Sequence, residues 1–114
     1  MSETTLALSE YKGMWLFVLF DLPVTSDEAK RKYVQFRNTL LKDGFSMLQF
    51  SVYARFCPSE EASGVHRKRV KQALPPKGQV RILGVTDKQF AKMDSFVGKT
   101  PKNVEDAPEQ LLLL

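Results

Sequence analysis

Apolar and polar positions alternate along this chain with a period that changes from segment to segment. Met14 to Asp21, MWLFVLFD, is seven apolar residues closed by one carboxylate. Its length and aromatic content suit a strand rather than a helix, and Pro23 ends it. Thr25-Ser26-Asp27-Glu28 then reads as a helix start, with Thr25 as the cap and Glu28 completing a capping box. Ala29, Tyr33, Phe36 and Leu40 recur at helical spacing with Leu41 beside them, and Gly44 closes the helix. From Phe45 to Cys57, FSMLQFSVYARFC is rich in β-formers, but its apolar parity switches between Met47 and Leu48. A slip of one residue exchanges the faces of a strand, so this is either a bulged strand or two short strands meeting near Gln49. Pro58 stops the run. Ser59-Glu60-Glu61 opens a second helix, whose body VHRKRVKQAL ends at Pro75-Pro76. Gly78 to Thr86, GQVRILGVT, reads as a strand, Asp87 to Lys92 as one helical turn, and Met93 to Gly98 as a short edge strand.

The order β-α-β-(β)-α-β predicts an α+β fold. With two strands in the middle it is a ferredoxin-like βαββαβ sandwich, both helices on one face of an antiparallel sheet. Without internal repeats or an interior linker, the reading is one domain at 13–98, a flexible N-terminus at 1–12 and a tail at 99–114. The first strand is apolar at both parities: Met14, Leu16, Val18 and Phe20 on one side, Trp15, Phe17 and Leu19 on the other. Two helices cover one face only, whereas a half-solvated strand alternates. A homodimer packed through the other face is the economical cover; the alternative is a C-terminal segment that folds back.

Composition narrows the class. A chain of 114 residues, 43% hydrophobic and 26% charged, suits one soluble globular domain. The lone Cys57 excludes an intrachain disulfide and fits a reducing cytoplasm. It reads as a buried structural thiol. No apolar run approaches the roughly 20 residues of a membrane helix, and the N-terminus lacks a signal-peptide pattern, so no membrane partner is expected.

Charge is unevenly spread. Between Asp27 and Arg81 twelve Lys/Arg stand against five Asp/Glu, a local net of +7. The last thirteen residues hold Lys102 against Glu105, Asp106 and Glu109. A basic body points to an anionic partner, nucleic acid first, against the plainer reading of a solvated surface. His66-Arg67-Lys68-Arg69 with Lys71 cannot all share one helical face, since consecutive residues advance around the helix. Lys30, Arg31, Lys32 and Arg37 on the first helix, with Lys77 and Arg81, extend the basic surface. Lys30, Arg31, Arg67, Lys68 and Lys71 are the candidate phosphate contacts, of the kind that hold a duplex without reading its sequence. His66 lacks Cys-His zinc spacing and reads as a surface helix residue; Ser51 has no His/Asp companion and reads as an interface hydroxyl.

Asp21 has two readings. An Asp before X-Pro is a good turn residue that hydrogen-bonds local backbone. A lone carboxylate binds Mg²⁺ poorly, because that ion wants six oxygens. A two-fold dimer through the open face could pair two copies of Asp21 around a metal and a phosphodiester, which would make Asp21 a metal ligand and a catalytic residue.

MWLFVLFDLP, then KRKYVQFRNTLLKDGF, then MLQFSVYARFC, then LPPKGQVRILGVTDKQFAKM, taken as a series, resembles the small CRISPR-associated adaptation proteins of the Cas-two family, closest to the branch of type II systems. The resemblance spans about residues 13–98 and includes Gln49-Phe50-Ser51-Val52-Tyr53. It implies a ferredoxin-like homodimer that bridges CRISPR integrase subunits while duplex DNA fragments are inserted as new spacers, an antiviral function. It also implies, for many members, a Mg²⁺-dependent endonuclease acting on RNA or DNA, with Asp21 at the position of the metal ligand. Several families carry Tyr where this chain has Phe20. The tail VEDAPEQLLLL sets Leu111, Leu112, Leu113 and Leu114 on an acidic stem, and the resemblance implies that such segments dock on the integrase. An RNA-recognition module is a poorer match, because SVYARFC lacks the stacking signature of that fold.

Overall fold

The computed structural model describes residues 13–108; the N-terminus at 1–12 and Leu111–Leu114 lie outside the described residues. The elements are β1 Met14–Asp21, α1 Asp27–Lys42, β2 Ser46–Gln49, β3 Val52–Cys57, α2 Glu60–Gln72, β4 Gln79–Thr86, α3 Asp87–Ala91, β5 Ser95–Val97 and β6 Thr100–Lys102. The main sheet runs β2-β3-β1-β4 with every neighbouring pair antiparallel. That is the ferredoxin-like α+β order. Among the described residues no helix is long and apolar enough to cross a membrane.

Local chemistry explains the boundaries, with one correction. Ser26, not Thr25, caps α1: its Oγ accepts from the Ala29 N–H at 3.1 Å. A cap bonds the amide three residues on, and with Asp27 as first helical residue only Ser26 stands there. Asp27 and Glu28 meet the positive end of the helix dipole. At the other end Gly44 turns the chain with φ +86°, and a Cβ there would collide with the Arg55 guanidinium. Both readings of the middle segment hold, since β2 and β3 are separate strands and their register also shifts between Met47 and Gln49. Ser51 takes φ +63° at the turn, and its carbonyl accepts from the Phe20 N–H at 3.1 Å.

The sheet has two unlike faces, as the parity of β1 requires. On the helix side Leu16, Val18 and Phe20 pack with Phe36, Leu40, Tyr53 and Val70. On the other side Trp15, Ala54, Phe56 and Phe90 form a second cluster. Trp15 stacks on Phe90 of α3 at 4.0 Å and 10°, and its Nε1 donates to Asp87 Oδ1 at 2.8 Å. Val104 and Ala107 pack against the same cluster. The chain's own C-terminal part therefore folds back over the Trp15 end of this face. Toward Asp21 the cover thins: Leu83 is 52% exposed, and a groove of about 490 Å³ runs past Phe17, Leu19 and Leu83.

The expected edge strand near residues 93–98 forms as β5, but it pairs with β6 in a separate two-stranded sheet rather than joining the main one. Thr100–Lys102 is thus a strand rather than part of a tail. The β5 backbone needs a ladder partner, and Thr100–Lys102 supplies it across the turn at Gly98. Phe96 and Val97 remain exposed on this hairpin. Cys57 is buried and free, and burial pushes its thiol up, which keeps it an unreactive core residue.

Candidate functional site

Side chains alternate along a strand, so Asp21 shares its face with Trp15, Phe17 and Leu19 rather than with the helix-side core. It is exposed, lies opposite Gln79 of β4, and is followed on that face by Arg81 opposite Leu19. The Asp21 end of the open face therefore carries exposed polar residues beyond the apolar Phe17, Leu19 and Leu83 that line the groove. Phe20 points the other way, 7% exposed, with ring centroids 5.3 Å from Phe36 and 5.5 Å from Tyr53. A tyrosine hydroxyl at this position would enter the helix-side core, on the opposite face from the Asp21 carboxylate.

Among the described residues, no group of three His, Cys, Asp or Glu side chains comes together to hold a metal. Asp21 offers one carboxylate where Mg²⁺ takes six oxygens. One chain alone does not fit the ion. The fit needs further oxygens from a second copy's Asp21, from phosphate or from water.

The basic candidates lie on the other side of the sheet. Lys30 and Arg31 on α1, and Lys68 and Lys71 on α2, are exposed on the two helices of one layer. None of them takes part in the ion pairs seen among the described residues. Arg67 differs: it is half-buried, and its Nη2 lies over Gly84 of β4, 3.2 Å from where a Cβ would stand. Its head group is committed to packing on the sheet more than to a ligand. The structure thus separates Asp21 from the phosphate candidates by the thickness of the sheet.

His66 and Arg69 drop out as free surface cations. Both bind Asp43, the residue after α1: His66 Nδ1 at 2.7 Å to Oδ2 and Arg69 Nη1 at 2.7 Å to Oδ1. A carboxylate only accepts, so the His66 Nδ1 carries the hydrogen. Arg55 Nη1 donates to the Asp43 carbonyl at 2.6 Å, where a cation complements the helix C-terminus. Asp43 was not singled out from the sequence; the one local sign was its place before the helix-ending Gly44. Burial alone would raise its pKa, but hydrogen bonds from His66 and Arg69 outweigh that and hold the carboxyl below its ordinary 3.8. Folding thus favours the ionised form, so the stabilisation is present above the unfolded value and fades as pH falls through the folded one. Asp43→Asn is expected to cost about 1.5–3 kcal/mol at neutral pH. Urea titrations of both proteins from neutral to acid should show the gap closing below about pH 3.8; a constant gap would sink the assignment.

Comparison with known proteins agrees with this geometry. The family model described as CRISPR associated protein Cas2 matches residues 14–93. The chain belongs to the Cas2 family. A Cas2 protein of Flavobacterium psychrophilum, named CRISPR-associated endoribonuclease Cas2, is 43% identical over 106 residues, covering 93% of this chain and 92% of its own. A Cas2 of the same name from Parvibaculum lavamentivorans is 44% identical over 100 residues, covering 88% of this chain and 99% of its own. A solved structure titled as the crystal structure of cas2 superposes with a TM-score of 0.53 at 21% identity, over 84% of this chain and 99% of that one. At that identity the match speaks for the Cas2 fold alone.

Proposed function

We propose that this Cas2-family chain is a dimeric subunit of CRISPR spacer acquisition that holds duplex DNA on its helix layer and bridges integrase subunits. The observation that carries this reading is the division of the sheet: unpaired cations outside the helices, and an uncovered apolar groove on the opposite face. Phe17, Leu19 and Leu83 border that groove, and covering each is worth on the order of 1.5–3 kcal/mol. An isolated two-stranded sheet is marginal in water, so β5–β6 with its exposed Phe96 and Val97 is also suited to a second copy. In this proposal Leu111–Leu114 dock on the integrase, as an apolar end on an acidic stem.

A second reading, a Mg²⁺-dependent endonuclease, is favoured by the placement of Asp21. It lies on the face through which two copies would meet, and relatives carry the name endoribonuclease. Two Asp21 carboxylates and a phosphodiester would supply the ion's oxygens, and the ion when bound would polarise the scissile phosphate.

Titrating a short duplex DNA and a single-stranded RNA with wild type and Asp21→Ala, in Mg²⁺ and in chelator, tests both. The expected result is salt-sensitive binding of the duplex, equal in the two proteins, with no strand cut. Mg²⁺-dependent cutting that drops by several orders of magnitude in Asp21→Ala would put the nuclease reading first.

A further inference from the structure

We infer that the cleft between the start of α1 and the Pro75–Lys77 turn is a subsite for one unpaired nucleobase of a bound strand; this rests on the nucleic-acid-holding reading above. The cleft has a volume of about 110 Å³. That is the space of a few waters at roughly 30 Å³ each. It is below the roughly 300 Å³ at which sites for drug-sized ligands begin. One flat nucleobase is the matching occupant.

Its walls suit such a ring. Tyr33, Pro23, Pro75 and Pro76 line it. Proline presents an apolar face without an N–H donor and with a fixed backbone angle, so the walls cannot readily collapse. The Tyr33 ring is held by an edge contact with Phe20 at 6.0 Å. Stacking on an aromatic face accepts any base, in keeping with a protein that holds strands of arbitrary sequence.

The rim adds charge. Lys32 and Lys77 stand on it against Glu28, which leaves the edge net positive and complementary to the phosphate of a base lodged inside. Lys30 and Arg31, beside Lys32 on α1, continue this charge onto the helix layer. The turn carrying Lys77 is pinned to the end of β1: Gly78 takes φ +95°, and a Cβ there would stand 2.7 Å from the Asp21 carbonyl oxygen. Only glycine allows that approach. The cleft therefore sits where the start of the helix layer meets the turn that is pinned to the carboxyl end of β1.

The test uses single-stranded DNA carrying one 2-aminopurine, read by base fluorescence and by polarisation on the same samples. Wild type is expected to quench the fluorescence on binding. Tyr33→Leu keeps an apolar side chain against the core, so it should restore most of the fluorescence and weaken binding about tenfold. Lys77→Met lies outside the core and should weaken single-strand binding severalfold, and more than it weakens binding of a blunt duplex. Polarisation without quenching, or quenching that survives Tyr33→Leu, would overturn the subsite and leave the holding reading intact. No binding of single strand or duplex would remove that reading and the subsite with it.

Discussion

Replacing Lys30, Arg31, Lys68 and Lys71 together by alanine is expected to weaken duplex binding about a thousandfold at moderate salt. Each phosphate neutralised by a cation contributes about 0.9 to the slope of log affinity against log salt, so losing four lowers that slope by between three and four. The four are exposed on one layer formed by α1 and α2, and Asp43 takes His66 and Arg69 out of the same surface. The loss should be the same for any duplex sequence, because contacts to phosphate carry no base information. Polarisation titrations at several salt concentrations give both the affinity and the slope. An unchanged slope in the fourfold variant would show that the helix layer is a solvated surface and that the duplex lies elsewhere. Arg67→Ala should weaken binding far less than any of the four, because its guanidinium lies against Gly84.

Phe20→Ala is expected to cost about 3–5 kcal/mol of folding stability, the largest effect of any single change considered. Phe20 is 7% exposed and sits among three rings, at 6.0 Å from Tyr33, 5.3 Å from Phe36 and 5.5 Å from Tyr53. Truncation removes the buried ring, leaves a cavity and deprives each neighbour of an aromatic contact worth roughly 0.5–1.5 kcal/mol. A domain of this size has about 5–15 kcal/mol of net stability, so the variant should lose a third or more of it in most of that range. Phe20→Leu keeps most of the volume and should lose less than half as much. Urea unfolding of the three proteins measures this. A loss below about 1 kcal/mol in Phe20→Ala would mean that the ring cluster does not hold the helix layer to the sheet.

The two predictions fall on opposite kinds of residue, and the ease of reading them from sequence differs accordingly. The helix periodicity of Ala29, Tyr33, Phe36 and Leu40 and the double parity of β1 were legible because burial follows the repeat of each element. The series of motifs from MWLFVLFD to the residues after β4 was legible as a family resemblance, and the family match confirms it. Ser26 against Thr25 was not, since adjacent hydroxyls offer the same group and only the first helical turn selects one. Asp43 was missed because its three partners, Arg55, His66 and Arg69, come from other elements.

The amino-acid sequence alone determined the order of elements in the main sheet and its two helices, the two apolar faces of β1 and the excess of cations on the helices, because each follows from local spacing and residue type. Tertiary structure decided how the open face is shared. Phe90, Val104 and Ala107 close its Trp15 end, and the Asp21 end is left bare. It also decided which cations are spent on Asp43, and that Asp21 and the basic helices lie on opposite sides of one sheet. Those outcomes depend on contacts between residues far apart in the chain, and no periodicity along the chain encodes which distant partner a side chain will meet.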